Sequence, residues 1–340
     1  MSVELRLLFL NCYLLRALEF PARRPVVRLG SAPEIEERAR ELADRLAGEY
    51  EVACLAEVFD RREALTLSTP SKGPGPHLVV GPTPDGRRRF FTSSGLVDLV
   101  DGPKIVKSAR HIFGHRGSPL HDPDALACKG GLFVELDVGL SANLEVVSTH
   151  LIAGGDLFPR GGLRRTDEER RAASNTLRIL RQAQVAELAH FIATHHKPAN
   201  TTLVVGDFNI AHRDPDADDP AGPYEDLLRS LSSPIELWDE CSPGGHGMTA
   251  NLTGPGSVAF VADPTDPRFF ADDEPLPAAT DEVSRIDHAF LQVESRSAIE
   301  VTPSTIRRRR LPRDEPSENH DIQYLSDHVG LHLELTLTDR

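Results

Sequence analysis

The chain has 340 residues, of which 39% are hydrophobic and 26% charged, as in ordinary globular proteins. A formal net charge of −14 argues against a dedicated nucleic-acid-binding protein, whose binding surface is usually basic. A nuclease is not excluded, because a bound metal and a local basic groove can offset the overall field.

The first predicted element is a buried strand around the short apolar run Leu7 to Leu10, which is followed by the polar Asn11. This run is too short for a secretion signal or a membrane span, so we expect a cytoplasmic protein without a transmembrane segment. The four cysteines are widely spaced and form no CxxC pair, which favours free thiols in a reducing compartment.

The next predicted element is a helix of roughly four turns. Ser31 is expected to cap its N-terminus, and Pro33 is expected at an early helical position. Its apolar face consists of Ile35, Ala39, Leu42 and Leu46.

Four later elements complete the main pattern. A buried strand at 51–59 brings Glu57 to its end, and a long helix from about 167 to 195 leads into a strand that ends in GDFN. The C-terminal segment 331–338 alternates strictly and predicts a strand with one apolar face. The segments 212–223 and 262–280 are rich in Pro and Asp and predict long loops, too short to be domain linkers. We therefore expect a single domain over residues 1–340.

Polar residues recur at or just past the ends of the apolar strands. Because a rigid sheet fixes such side chains while its edge stays open to solvent, they are expected to converge on one site. They are Asn11, Glu57, His150, Asp207 with Asn209, Asp287, and Asp327 with His328.

Glu57 is a hard oxygen ligand of the kind that Mg²⁺ prefers, and Asn11 could orient that carboxylate or add a carbonyl ligand. The alternative for Glu57 alone is a solvated glutamate at a strand terminus. Asp207 and Asn209 flank Phe208, so on an extended chain their side chains would point the same way and could hold the attacking water and a phosphoryl oxygen. The alternative is a simple turn, which Asp and Asn favour.

Several segments of the chain together resemble the endonuclease/exonuclease/phosphatase superfamily. The matching pieces, in the family's order, are LNCYLL, CLAEVFD, SSGLVDLVDGPKI, LACKGGLFVEL with STHL, VVGDFN, RIDHAFL and LSDHVGL. The resemblance is spread from residue 8 to residue 333. Within the superfamily they are most similar to neutral sphingomyelinases, which release phosphocholine from sphingomyelin.

The resemblance implies an α/β fold, a four-layered sandwich of two mainly antiparallel sheets face to face with helices outside. It also implies that His328 is the general base and Asp287 its orienting partner, with Asp327 near the metal or structural. An isolated histidine such as His328 would more simply be a core residue. His150 is expected to donate to a phosphate oxygen or to the leaving group.

The predicted function is therefore a phosphodiesterase that uses Mg²⁺, or Mn²⁺, and a water activated by histidine. A phospholipid is the favoured substrate, a nuclease of the same superfamily is the second reading, and an inactive binding protein is the third. Phe269 and Phe270 in the 262–280 loop could touch a bilayer or simply cover the base of the loop. The segments 160–171, 212–223 and 262–280 differ from the usual family spacing, and such loops select substrates.

Overall fold

The structure is a computed structural model. It describes residues 1–14, 32, 34–84, 92–117, 123–153, 167–212, 221–241, 249, 285–309, 311, 313–314, 325–326 and 328–340, with the side chains of 123–124 and 167–171 left out. The predicted capping residue Ser31, together with Pro33, lies outside these ranges.

The strands, in chain order, are β1 Ser2–Leu14, β2 Val52–Val58, β3 His77–Val80, β4 Val97–Val100, β5 Lys104–Ile112, β6 Gly130–Asp137, β7 Leu144–His150, β8 Thr201–Asp207, β9 Ile235–Glu236, β10 Asp287–Gln292, β11 Ile299–Arg309 and β12 Gly330–Asp339. The helices are α1 Ile35–Leu46, α2 Arg61–Leu67, α3 Asp167–His195, α4 Gly222–Ser230 and α5 Leu237–Cys241.

The strands form two six-stranded sheets with the same pattern of directions. The first sheet has the order β11-β12-β1-β2-β4-β3, and the second has the order β5-β6-β7-β8-β10-β9. In each sheet the two central strands are parallel, β1 with β2 and β7 with β8. The other neighbouring strands in both sheets run antiparallel.

Successive side chains of each strand point to opposite faces of its sheet, and this alternation produces four layers. Residues such as Leu7 of β1 and Val205 of β8 point into a shared core between the sheets. The opposite face of the first sheet packs on α1 and α2, and the opposite face of the second sheet packs on α3 and α4. The predicted four-layered sandwich is confirmed.

Helix α1 confirms its predicted apolar face, since Ile35, Ala39, Leu42 and Leu46 are all buried. It begins at Ile35, where the preceding Glu34 has a left-handed backbone and caps no amide with its side chain. The predicted strands at residues 7–10, 51–59 and 331–338 correspond to parts of β1, β2 and β12. All four cysteines are free thiols, as expected.

The long helix predicted at 167–195 is present as α3. Within the described ranges, none of the helices combines the length and the apolar character that crossing a bilayer requires.

The parallel contact of β7 with β8 is close at Gly206, which pairs with Thr149. A Cβ atom at Gly206 would lie 2.5 Å from Thr149 Cγ2 and 2.6 Å from the Thr149 carbonyl oxygen. Because a backbone oxygen cannot rotate away, the strands must move apart to accept a methyl group.

We therefore expect Gly206→Ala to lower the free energy of unfolding by about 1–3 kcal/mol, as overpacking does elsewhere. Urea denaturation measures the change. Gly114→Ala is the matched control, because its new Cβ would lie at an ordinary 3.6 Å from the Glu187 carboxylate oxygens. Equal stability of the two variants would contradict the close contact.

Candidate active site

The parallel pairs bring four strand ends to one edge of the sandwich. Carboxyl ends of parallel neighbours emerge on the same side, so Asn11 on β1 lies near the end of β2, which holds Glu57. In the second sheet His150 at the end of β7 pairs with Asp207 at the end of β8. The two sheets meet here, because Asn11 Nδ2 donates a 3.0 Å hydrogen bond to Asp207 Oδ2.

The remaining two site residues arrive from antiparallel neighbours. Asp287 opens β10 directly opposite Asp207. His328 lies just before β12, which pairs with β1. Strands that run the other way thus begin at the edge where the parallel strands end.

Strained backbone is concentrated at this edge. Six described non-glycine residues have positive φ, and three of them, Tyr13, Glu57 and Asn209, lie at the ends of β1, β2 and β8. Left-handed backbone at such residues costs about 1–3 kcal/mol each and is held in place by its surroundings. The concentration therefore points to a functional constraint on these strand ends.

Asp207 is buried at the centre of the arrangement. Burial, and then the Asp287 carboxyl, raise the pKa of Asp207 to about 6. His328, Lys129 and the hydrogen bond from Asn11 offset part of this rise. Asp207 and Asp287 are thus two carboxyls buried side by side at this edge.

Asn209 does not continue the extended strand that the sequence predicted. Strand β8 ends at Asp207, and Asn209 adopts φ 51°. Its backbone N–H donates to Asp207 Oδ1 at 3.0 Å, and its Nδ2 donates to the Leu151 carbonyl at 3.2 Å. The prediction of an extended chain here is wrong, because the Asp207 side chain closes a local turn. The turn nevertheless keeps Asn209 beside Asp207.

His328 and Asp287 form a direct pair. His328 Nδ1 lies 2.9 Å from Asp287 Oδ2. With the proton on Nδ1, the carboxylate fixes the ring and leaves Nε2 with the lone pair that a general base needs. His328 is 12% exposed, whereas Asp287 is 1% exposed, so the histidine lies above its partner.

His150 lies beneath the acidic groups and is completely buried. Its Nε2 is 3.5 Å from Asp207 Oδ2 and 3.8 Å from Glu57 Oε1. Burial, and then the Lys129 cation, hold the pKa of His150 well below its usual range. A neutral imidazole here contacts the carboxylates from below. His150 thus lies at the edge where the sequence placed it, and its donation to a phosphate oxygen or to the leaving group stays a prediction.

Lys129 is the site residue that sequence reasoning missed. Its Nζ lies 2.7 Å from His150 Nε2 and 5.9 Å from the centre of the Phe59 ring, and the residue is 3% exposed. A buried lysine is rare unless its charge is used or paired. The available signal was a single cation directly before an apolar strand, in LACKGGLFVEL.

The donor set fits a hard divalent cation. Ligand atoms of Asp207, Asp287 and His328 lie within 4.8 Å of one another. Asp287 Oδ1 is buried and accepts no hydrogen bond from the described part of the chain. Two adjacent buried carboxyls, one of them with an orphaned oxygen, are what a cation would satisfy, and carboxylate oxygens suit Mg²⁺. Of the residues predicted as ligands, Glu57 and Asn11 adjoin this cluster through His150 and Asp207.

Other predicted features lie outside the described residues. These are Asp327, Phe269 and Phe270 with the whole 262–280 loop, and most of the 160–171 and 212–223 segments.

Another buried carboxyl, that of Asp98, lies behind the site in the core between the sheets. Asp98 of β4 accepts a 2.9 Å hydrogen bond from Ser148 Oγ of β7, two residues before His150, and pairs in register with Cys54. Burial raises the pKa of Asp98 to about 7, although hydrogen bonds from Ser148 and Cys54 lower it in part.

Comparisons with known proteins support the fold. No protein-family model matches the chain, and no curated protein matches it. Solved structures do match. Beta toxin from Staphylococcus aureus, in a variant with bound magnesium ions, is 15% identical with a TM-score of 0.54 over 97% of this chain and 99% of its own.

Two further structures are equally similar in shape. Sphingomyelinase C from Streptomyces griseocarneus is 19% identical with a TM-score of 0.52, covering 98% of this chain and 99% of its own. D. rerio TDP2 complexed with a single-strand DNA product is 15% identical with a TM-score of 0.54, covering 98% of each chain. At these identities the likeness establishes the fold alone. The chain has the DNase I-like fold of these structures, the four-layered sandwich that the resemblance implied.

Asp98 generates a pH prediction. The folded protein keeps this proton up to about pH 7, whereas the unfolded chain releases it near its ordinary pKa of 3.8. Asp98 therefore lowers the free energy of unfolding progressively as the pH rises from about 4 to about 7, by an amount on the order of 4 kcal/mol.

We expect Asp98→Asn to remove this penalty, so that the variant gains stability over the wild type as the pH rises across that window. Urea denaturation in EDTA at a series of pH values measures the difference. Asp101→Asn, at an exposed carboxyl three residues further on, is the control. A difference between Asp98→Asn and wild type that stays constant with pH would contradict the buried proton.

Proposed function

We propose that this protein is a metal-dependent phosphodiesterase that hydrolyses a phosphate diester by in-line attack of water. The observation that carries the proposal is the cluster of Asp207, Asp287 and His328, in which a histidine–carboxylate pair adjoins a second buried carboxyl. This arrangement combines a general base with oxygen ligands for a cation.

In this proposal the residues of the site have different roles according to how deeply each is buried. His328, held through Nδ1 by Asp287, removes the proton from the attacking water through Nε2. Asn209, fixed by its contacts to Asp207 and Leu151, orients a phosphoryl oxygen. His150 positions Asp207 and Glu57 from below, and Lys129 adds positive charge. Asp327, which belongs to the same sequence motif as His328, is expected near the metal.

Glu57, Asp207 and Asp287, with Asn11 supporting Asp207, are the residues that would hold Mg²⁺ or Mn²⁺. When bound, such an ion would neutralise charge on the phosphate and polarise the ester. A structural neighbour, beta toxin, has bound magnesium ions, which agrees with this choice.

A phospholipid of the sphingomyelin class is the favoured substrate. Its headgroup is zwitterionic and does not require a basic groove, whereas a nucleic-acid backbone does. The net charge of −14 is therefore less of an obstacle for a lipid than for DNA. Sphingomyelinase C among the structural neighbours is consistent with this preference, and TDP2 with its DNA product keeps a nuclease as the alternative. The proposed bilayer contact is the 262–280 loop.

The test is hydrolysis by the purified full chain of bis-p-nitrophenyl phosphate, sphingomyelin liposomes and plasmid DNA, each with Mg²⁺, with Mn²⁺ and with EDTA. We expect metal-dependent turnover of the liposomes without nicking of the plasmid. Plasmid nicking without lipid turnover would replace the lipid by a nucleic acid. Silence across the whole panel would reject the enzyme in favour of a binding protein.

His328→Ala and Asp207→Asn are each expected to lower kcat by about 10²- to 10⁴-fold, the usual contribution of a positioned acid–base group. Because neither residue contributes to the apolar cores, His328→Ala should leave the melting temperature nearly unchanged. Asp207→Asn should not lower it, since that change removes a buried carboxyl whose pKa is raised. His190→Ala removes an exposed histidine of α3 and is the control. Full activity of either site variant would remove that residue from the mechanism.

Lys129→Gln is expected to lower kcat by about 10²-fold, because loss of the buried cation that contacts His150 displaces the groups above it. Lys107→Gln is the matched control, since Lys107 lies on edge strand β5 and contacts His195 instead. If both variants retain wild-type kcat on the substrate found above, Lys129 has no part in the reaction.

A further inference from the structure

The end of β1 contains a bulge that places Asn11. The pairing of β1 with β2 shifts register between Asn11 and Leu14, and Tyr13 within the bulge has φ 48°. Asn11 Oδ1 accepts a 3.1 Å hydrogen bond from the Tyr13 N–H, while its Nδ2 reaches Asp207. A bulge disrupts the ladder and leaves main-chain groups that need other partners.

Arg38 supplies partners to this bulge from inside α1. Its side chain is completely buried. Nη2 donates to the Cys12 carbonyl at 2.6 Å, and Nη1 donates to the Tyr13 carbonyl at 3.1 Å. These two carbonyls lie on either side of the strained residue Tyr13, so one guanidinium fixes the backbone on both sides of it.

The same guanidinium also holds the segment that leads to the proposed general base. Arg38 Nε and Nη2 donate to the Leu325 carbonyl at 3.0 and 2.7 Å. The adjacent Ser326 hydroxyl donates to the Asn11 carbonyl and accepts the His328 N–H at 3.0 Å. Arg38 and Ser326 together therefore join the strand end bearing Asn11 to the segment bearing His328.

The position of Arg38 in α1 shows that helix packing alone does not account for it. Its neighbours on the buried face of the helix, Ile35, Ala39 and Leu42, are apolar. A cation there has a large desolvation penalty unless several acceptors compensate it. A planar fork of five N–H donors can reach three carbonyls on two segments, whereas the single ammonium group of lysine cannot.

We propose that Arg38 is a positioning residue of the active site, which sets the relative placement of Asn11 and His328 through the carbonyls of Cys12, Tyr13 and Leu325. The inference rests on the proposed function for its kinetic consequence. Small displacements of a catalytic group by changes remote from the chemistry reduce turnover strongly while leaving folding intact.

The experiment compares Arg38→Lys with Leu42→Ala in the full chain. Leu42 is buried one helical turn away in the same apolar cluster, so its truncation destabilises α1 without touching the three carbonyls. At a temperature where both variants are folded, Arg38→Lys is expected to lower kcat by about 10- to 100-fold with little change in KM. Leu42→Ala is expected to keep wild-type kcat.

Hydrogen exchange gives a second readout that needs no substrate. In Arg38→Lys, amides of the peptide covering residues 325–334 should exchange about tenfold faster than in Leu42→Ala, because the segment has lost its anchor. If the wild type hydrolyses nothing, the proposed function fails, while the exchange comparison still tests the anchor.

Ser326→Ala is the second test variant, and it replaces Arg38→Lys if that variant does not fold. It removes the hydroxyl that connects Asn11 and His328, and it should lower kcat and protection in the same direction. If Arg38→Lys does fold, the kcat effects of the two substitutions should not add in the double variant, since both act through one connection. Equal kcat and equal exchange in Arg38→Lys and Leu42→Ala, or an unaltered Ser326→Ala, would overturn the proposal.

Discussion

The parallel pair at the centre of each sheet is the constraint on which the site depends. Antiparallel neighbours send successive carboxyl ends to opposite edges, whereas β1 with β2 and β7 with β8 send theirs to the same edge. Stacking the sheets places four such ends together, and the hydrogen bond from Asn11 to Asp207 closes the gap between them. Groups separated by almost two hundred positions in the sequence thereby become neighbours.

This convergence has an electrostatic consequence that the fold must counter. Glu57, Asp207 and Asp287 are brought to one edge, where burial, and then the Asp287 carboxyl, raise the pKa of Asp207. Buried cationic and imidazole groups lie beneath them, and the backbone at three strand ends is strained. Buried charge and strain both weaken a fold, so a sequence selected for stability alone would avoid them. Their coincidence at one edge is best explained by chemistry performed there.

Much of this arrangement could be predicted from the sequence, because the hydrophobic periodicity of a segment and the polar residue that ends a strand are local signals. The alternation in LHLELTLT predicted β12, and a polar residue after an apolar run predicted Glu57 at the end of β2. Asn209 shows the limit: the sequence predicted an extended chain as far as Asn209, whereas the strand ends at Asp207, whose side chain accepts the Asn209 N–H and closes a turn. Arg38 and Lys129 were missed because their partners are remote in the sequence. Helical spacing does place Arg38 on the buried face of α1, but only the fold shows which carbonyls its guanidinium contacts.

In the proposed mechanism, the groups that contact the substrate and the groups that position them lie at different depths in the site. Glu57 and His328 retain 17% and 12% exposure, while Asp207, Asp287 and His150 beneath them are almost fully buried. A substrate can touch the upper groups only, and those sit on rigid strand ends whose positions the buried groups set. Substrate choice then falls to the segments that connect the strands, which can vary without disturbing the sheets. This division explains how one sandwich is shared by sphingomyelinase C and by TDP2 holding a DNA product, at identities to this chain of 19% and 15%.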